Sequence, residues 1–157
     1  MAKTPKPKSF EVRPLAPDDL DRVVEIDQEL AGRSRRGFYD RRLRGASREH
    51  ASFLYLGISK GDQLIGFVLA RLLEGEFGTK KPTAVLDAIG VEYASHGTGA
   101  GKRLMAELEE ILRLKGVSEL RSQLDWNNHA LMRFLDSAGF ELAPRVIMSR
   151  RTEQVVF

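Results

Sequence analysis

The stretch Val91-Glu92-Tyr93-Ala94-Ser95-His96-Gly97-Thr98-Gly99-Ala100-Gly101-Lys102-Arg103 joins two different hydrophobic periods. Ahead of it, Pro82–Val91 (PTAVLDAIGV) is apolar on both faces except at Asp87, the pattern of a central strand. Behind it, Leu104, Leu108, Ile111 and Leu112 recur at helical spacing, and Gly116 stands where that helix would end. Three glycines at alternate positions between strand and helix let the main chain turn sharply and aim several N–H groups at one anion. The helix start adds unpaired amides and the positive end of its dipole. Taken alone, the segment reads either as a phosphate cradle or as a plain flexible turn. It is not a Walker A loop, because His96 stands where the first Gly is needed and Arg103, not Ser or Thr, follows Lys102. Nor is it a dinucleotide fingerprint, whose last glycine would fall on Lys102 or Leu104.

Outward from this turn the periods continue to alternate. Phe10–Pro14 predicts a short strand, and Ala16-Pro17-Asp18-Asp19 opens a helix with Leu20, Val23, Val24, Ile26 and Leu30 mostly on one face, ended by Gly32. A second short helix is expected around Phe38–Leu43. Ser52–Ser59 and Gln63–Leu73, joined by Lys60-Gly61-Asp62, form a hairpin. After the glycine segment come a strand at Val117–Asp125, a helix at Asn127–Ala138, and strand pieces at Phe140–Leu142 and Arg145–Ser149. The order β-α-α-β-β-β-α-β-α-β implies an α/β layered domain, with a mixed, mostly antiparallel sheet of about six strands and helices on both faces. The unit from Thr83 to Asp125 should be a parallel crossover.

Composition narrows the classes of function. The 157 residues are 42% hydrophobic and 30% charged, with Lys+Arg 25 against Asp+Glu 22. That is one domain over residues 10–157 behind a Lys/Pro-rich flexible tail at residues 1–9. A net charge of +3 does not by itself announce a nucleic-acid binder. Cysteine is absent and the three histidines are scattered, so neither a thiolate nucleophile nor a metal site is expected. No apolar run approaches the roughly 20 residues of a membrane span, and the amino terminus lacks the apolar core of a secretory signal, so the expected compartment is the cytoplasm. The segment Arg33–Arg48 carries seven Arg and one Asp. It reads either as a solvated basic helix or as a recognition surface for an acidic acceptor.

Two motifs then act together. His96, Gly99 and Gly101, following a strand that ends at Val91, resemble the acetyl-CoA signature of the GNAT acetyltransferase superfamily. Asn128, Phe134, Gly139 and Phe140 resemble the second signature, an Asn followed by a helix ending in Gly-Phe. The resemblance runs from Phe10 to about Arg150 and includes the element order. It implies acetyl-CoA as co-substrate, with no metal and no covalent acyl-enzyme, and direct transfer of the acetyl group to a primary amine on a small molecule or protein. The amides of Gly97, Thr98, Gly99, Ala100, Gly101 and Lys102 would hold the diphosphate, with His96 beside them. Ile89, Gly90 and Val91 would line the pantetheine arm, with the Ile89 N–H polarising the thioester carbonyl. Asn128 and Phe134 would complete the cofactor site, and Arg35, Arg36 and Tyr39 fall where the superfamily shapes its acceptor pocket.

Three positions depart from the superfamily. His96 replaces the usual Gln or Arg, Leu135 stands where many members carry a Tyr that protonates the thiolate, and Gln123 replaces the Glu of ribosomal-protein acetyltransferases. Candidates to accept the amine proton are Asp87, as the sole charge of its strand, and Asp125, with Glu92, Glu74 and Tyr39 behind them. The alternative for Asp87 is a carboxylate satisfied by an arginine or by backbone N–H groups. Leu135 and Gln123 motivate a second function, an acyl-CoA-binding pseudo-enzyme with a regulatory role. A nucleic-acid-binding domain ranks last, since only Phe38 and Tyr39 lie within the arginine cluster. No membrane partner is expected; a homodimer stays open, with Val155-Val156-Phe157 as one candidate contact.

Overall fold

The computed structural model describes residues 9–49, 51–74 and 81–153. The tail expected over residues 1–9 lies outside them except for Ser9, and Val155–Phe157 lies outside them too. The chain forms two compact units, Met1–Gln123 and Leu124–Phe157.

In the first unit β1 (Phe10–Pro14) leads through a 3-10 turn at Pro17–Asp19 into α1 (Leu20–Ala31) and then α2 (Arg36–Arg48). The strands β2 (Phe53–Lys60), β3 (Gln63–Leu73) and β4 (Thr83–Val91) follow, then α3 (Ala100–Leu114) and β5 (Leu120–Ser122). The sheet order is β1-β2-β3-β4-β5. The first three junctions are antiparallel, and β4 and β5 are parallel, as the intervening helix requires. The mixed sheet expected of the sequence is present, with five strands rather than about six. No helix of the described residues is long and apolar enough to cross a membrane.

The sheet is covered on both faces. One cluster joins Val23 and Ile26 of α1, Tyr39 and Leu43 of α2, and Tyr55, Phe67 and Leu69 of the strands. Each buried side chain of this size contributes about 1.5–3 kcal/mol. α1 sits close because β4 presents Gly90 to it: a Cβ there would meet the Phe67 ring at 2.9 Å and Leu30 Cδ1 at 3.0 Å. The alternate strand residues, Ile58, Val68, Ala70 and Leu86, are buried on the opposite face. There α3, which buries Leu104, Met105, Leu108 and Leu112 from one stripe, packs on β2, β3 and β4.

Two strand expectations are corrected. The run Val117–Asp125 is strand only at Leu120–Ser122. Val117 belongs to the end of α3 instead: its N–H donates to the Leu112 carbonyl (2.9 Å) while the Gly116 N–H donates to Arg113 (3.0 Å), closing the helix in a Schellman-type cap. In the second unit α4 (His129–Ser137) forms as expected, but the described residues after it hold no strand. Pro144, lacking an N–H, splits the run at Phe140–Leu142 and Arg145–Ser149, and the Arg145 N–H turns back onto Ala143 C=O (2.8 Å). α2 is longer than the expected helix at Phe38–Leu43, because its surface is carried by arginines, which are good helix formers.

Candidate active site

β4 is the platform. Its outer edge pairs with β5 only along Ala84–Leu86, so from Asp87 to Val91 that edge has no strand partner among the described residues. Such an edge offers main-chain groups to an extended ligand. On the other side Val91, Gly90 and Ile89 face Gly66, Phe67 and Val68 of β3. The β3–β4 ladder passes from Leu69↔Ala88 to Ala70↔Leu86, which makes Asp87 the extra residue of a bulge.

The turn that follows is bolted at its entry. The Glu92 N–H donates to Ile65 C=O (2.9 Å), and the Glu92 carboxylate accepts from the Ser95 hydroxyl (2.8 Å) and from the Arg22 guanidinium of α1. Arg22 Nε also donates to Leu64 C=O (2.8 Å), so one side chain ties α1, β3 and the start of the turn. His96 folds back onto the strand with Nε2 2.7 Å from the Val91 carbonyl oxygen. A carbonyl only accepts, so Nε2 carries the proton. The Thr98 hydroxyl donates to Ser95 C=O (2.5 Å).

Gly97 and Gly99 then take φ of 77° and 88°, where an L side chain is strained, although a Cβ at either would meet nothing within 4 Å. Conformation, not crowding, demands glycine here, and the space outside is open. The first main-chain bond of α3 runs from Arg103 N–H to Gly99 C=O (2.9 Å), and no side chain caps the helix. The amides of Ala100, Gly101 and Lys102 therefore precede the ladder and remain available to an acceptor. Open space, free amides, a positive helix end and the exposed Lys102 together fit a diphosphate.

On the α1–α2 face the candidate residues are engaged within the fold. Asp87, with a side chain only 10% exposed, accepts from Arg71 Nε through both oxygens (3.1 Å each). Asp27 is buried and accepts from Arg35 Nε (2.8 Å) and from the Tyr39 hydroxyl (2.8 Å). The hydrogen bond to Asp27 raises the Arg35 pKa, and burial pushes the Tyr39 phenol up. Tyr39 is fully buried and sets the packing of α2 on α1 and Phe67, its ring edge-on to Phe67 at 5.5 Å. Arg36 makes an exposed pair with Asp21 (2.7 Å). Asp125 is exposed beyond the end of β5, not on a strand.

Within the second unit, Asn128 caps α4 by accepting the Leu131 N–H at Oδ1 (3.2 Å); Phe134 is half-buried and Leu135 buried. Sequence reasoning did not name Arg71 or Arg22. The signal for Arg71 was the hairpin register that sets β3 against β4; for Arg22, only three-dimensional proximity joins it to Glu92, 70 residues away.

The profile of the Acetyltransferase (GNAT) family matches residues 20–140. No curated protein matches the chain in sequence. Among solved structures it is similar to an aminoglycoside N-acetyltransferase in complex with CoA (TM-score 0.78, 19% identity, covering 96% of this chain and 99% of that one). It is also similar to an aminoglycoside 6'-N-acetyltransferase from Acinetobacter baumannii (TM-score 0.76, 19% identity, 93% and 100% covered). A third is a ribosomal-protein-alanine N-acetyltransferase from Brucella melitensis (TM-score 0.72, 18% identity, 91% and 99% covered). At these identities the likeness speaks to the fold. The family match, reaching from the start of α1 to the Gly-Phe pair after α4, carries the assignment: this chain belongs to the GNAT acetyltransferase family.

Proposed function

We propose that the chain binds acetyl-CoA in the turn and along the open edge of β4, and transfers its acetyl group directly to a primary amine. The observation that carries this reading is the set of available amides at the start of α3, set beside an unpaired strand edge. The amides from Gly97 to Lys102 would take the diphosphate, and Ile89, Gly90 and Val91 the pantetheine arm. Bound there, acetyl-CoA supplies an activated thioester, and the Ile89 N–H donates to its carbonyl oxygen as charge develops. His96, proton on Nε2, holds the Val91 end of the strand in place. By the resemblance Asn128 and Phe134 are further candidates to contact the coenzyme; the capping bond of Asn128 uses its Oδ1.

Transfer forms a C–N bond, breaks the C–S bond and frees one proton from the amine. Asp87 would receive it; in support, the bulge lies on the strand two residues from Ile89, and Arg71 Nε contacts both carboxylate oxygens. Asp125 is the alternative acceptor, solvated beyond β5. Arg36 and Arg35 would flank the amine's approach, with Tyr39 positioning Arg35 from below.

Saturating acetyl-CoA, at about 100 times its dissociation constant, should stabilise the folded protein by roughly 2.7 kcal/mol. A thermal scan reads this directly, and a melting temperature that acetyl-CoA does not move would defeat the proposal. Release of free CoA in the presence of amines separates an enzyme from a binding module, which would shift in the scan and release nothing.

A further inference from the structure

Four side chains on the α1–α2 face of the sheet meet around one spot with their hydrogen-bonding capacity unevenly spent. Tyr55 lies on β2 opposite Leu69, and Arg71 on β3 lies opposite Phe53, which puts both side chains on one face. The bulge delivers Asp87 to that face, where it meets Arg71. Arg42 reaches in from α2 with its guanidinium 4.3 Å from the Phe38 ring centroid.

Donors outnumber acceptors here. Among the described residues the Tyr55 hydroxyl is buried without a partner, and so is Arg42 Nε. Arg71 spends only Nε on Asp87; its two terminal nitrogens bond nothing among the described residues, and its side chain is 38% exposed. Three neighbouring arginines differ, since Arg35, Arg36 and Arg44 are paired with Asp27, Asp21 and Asp40. Leaving a hydroxyl buried without a partner costs about 1–3 kcal/mol, so each such group in a native protein calls for an acceptor. Burial pushes the Tyr55 phenol up to about 12, with Arg42, Asp87 and Arg71 as the charges it senses. At neutral pH it stays a donor.

We propose that Arg42, Tyr55 and Arg71 recognise an anionic oxygen group on the acceptor, so that the amine acetylated by this chain belongs to a molecule that also carries a carboxylate or a phosphate a few bonds from the nitrogen. Asp87 answers Arg71, and Arg42 has no ion pair among the described residues, which leaves one positive charge to be met. An oxyacid group supplies the missing charge and the missing acceptors at once, in the planar geometry that guanidinium forks favour. The amine end of the same molecule then falls beside Asp87. A polycationic amine would instead set like charges against Arg42 and Arg71.

This inference rests on the acetyl-CoA reading, and the experiment keeps the two apart. Calorimetry with acetyl-CoA tests the first alone. CoA release is then measured for the standard amino acids against the amines left by their decarboxylation, for phosphoethanolamine against ethanolamine, and for a polycationic aminoglycoside. The expected result is a preference of roughly tenfold or more in kcat/KM for an anion-bearing acceptor over its anion-free counterpart. The amino-acid and phosphoethanolamine arms tell carboxylate from phosphate. Tyr55→Phe and Arg42→Gln should each shrink the preference to about threefold or less, while Tyr55→Phe keeps or raises the melting temperature, since it removes only an unpartnered hydroxyl. If acetyl-CoA binds and anion-free or polycationic amines do as well, or no anion-bearing amine is acetylated, or both variants keep the preference, the inference falls. A large loss of stability in Tyr55→Phe would also overturn it, by showing that the hydroxyl is structural. Failure to bind acetyl-CoA overturns the earlier reading, and this one with it.

Discussion

Between Val91 and Arg103 the chain is shaped by its backbone: two left-handed glycines, a helix without a side-chain cap and a row of available amides. On the α1–α2 side guanidinium–carboxylate pairs take that part: Arg36–Asp21 and Arg35–Asp27 join the start of α2 to α1, Arg13–Asp19 ties β1 to the approach of α1, and Arg44–Asp40 lies within α2. The turn keeps its side chains out of the way so that a ligand can meet main chain. The helical side commits many side chains to one another, while among the described residues the Tyr55 hydroxyl and Arg42 Nε are buried without a partner and Arg71 spends only Nε. A substitution should therefore act through φ in the first region and through charge in the second.

The largest effect belongs to the most buried of these pairs. Arg35→Ala leaves the Asp27 carboxylate, only 4% exposed, with the Tyr39 hydroxyl as its sole partner. The expected loss is about 3–5 kcal/mol, read as a lower urea midpoint. Asp27→Leu combined with Arg35→Leu should recover much of it, because no charge then remains buried. An unchanged midpoint in the single variant would show that α1 and α2 are held by packing alone.

The turn supplies the contrasting test. Gly99→Val places a branched side chain at φ 88°, where its Cβ meets nothing within 4 Å, so its cost of about 1–2 kcal/mol is conformational. Affinity for acetyl-CoA should fall by roughly tenfold or more as the amides lose their aim, against about two- to threefold for Lys102→Ala, an exposed cation screened by solvent. If Lys102→Ala were the more damaging of the two, the turn would be binding by side-chain charge and the contrast between the regions would dissolve.

The same contrast explains what could be read from the sequence. The turn is local: His96, Gly97, Gly99 and Gly101 carry its geometry within six residues, and the strand and helix around it declare themselves by period. Hence the element order through Ser122 and the extent of β3 were legible. The α1–α2 side was not, because its contacts join residues far apart in the chain, as Tyr55, Arg71 and Asp87 do across three strands. Asp87 was visible as the one charge in an apolar strand, and an arginine partner as one alternative for it, but neither the bulge that aims it nor which arginine holds it. Likewise the apolar residues after Gly139 suggested strand, and Pro144 was the local sign against it.

The smallest effect separates the regions by pH. Asp19 accepts from both terminal nitrogens of Arg13 (2.8 Å each) and from the Ala16 N–H (2.8 Å), closing the approach to α1. The Arg13 hydrogen bonds, opposed by burial, hold its carboxyl below the usual aspartate value. A group with a lowered folded pKa stabilises the protein above its unfolded pKa of about 3.9, and that contribution is lost as pH falls through the folded value. Arg13 is 40% exposed, so the gain is screened to about 0.5–1 kcal/mol. Asp19→Asn should thus be less stable than the unmodified chain at pH 7, with the gap closing as pH drops below about 4. Gly99→Val, whose cost is conformational, should keep its gap over the same range. A gap for Asp19→Asn that persisted in acid would mean that the carboxylate shapes the start of α1 by geometry rather than by charge, as the glycines shape the turn.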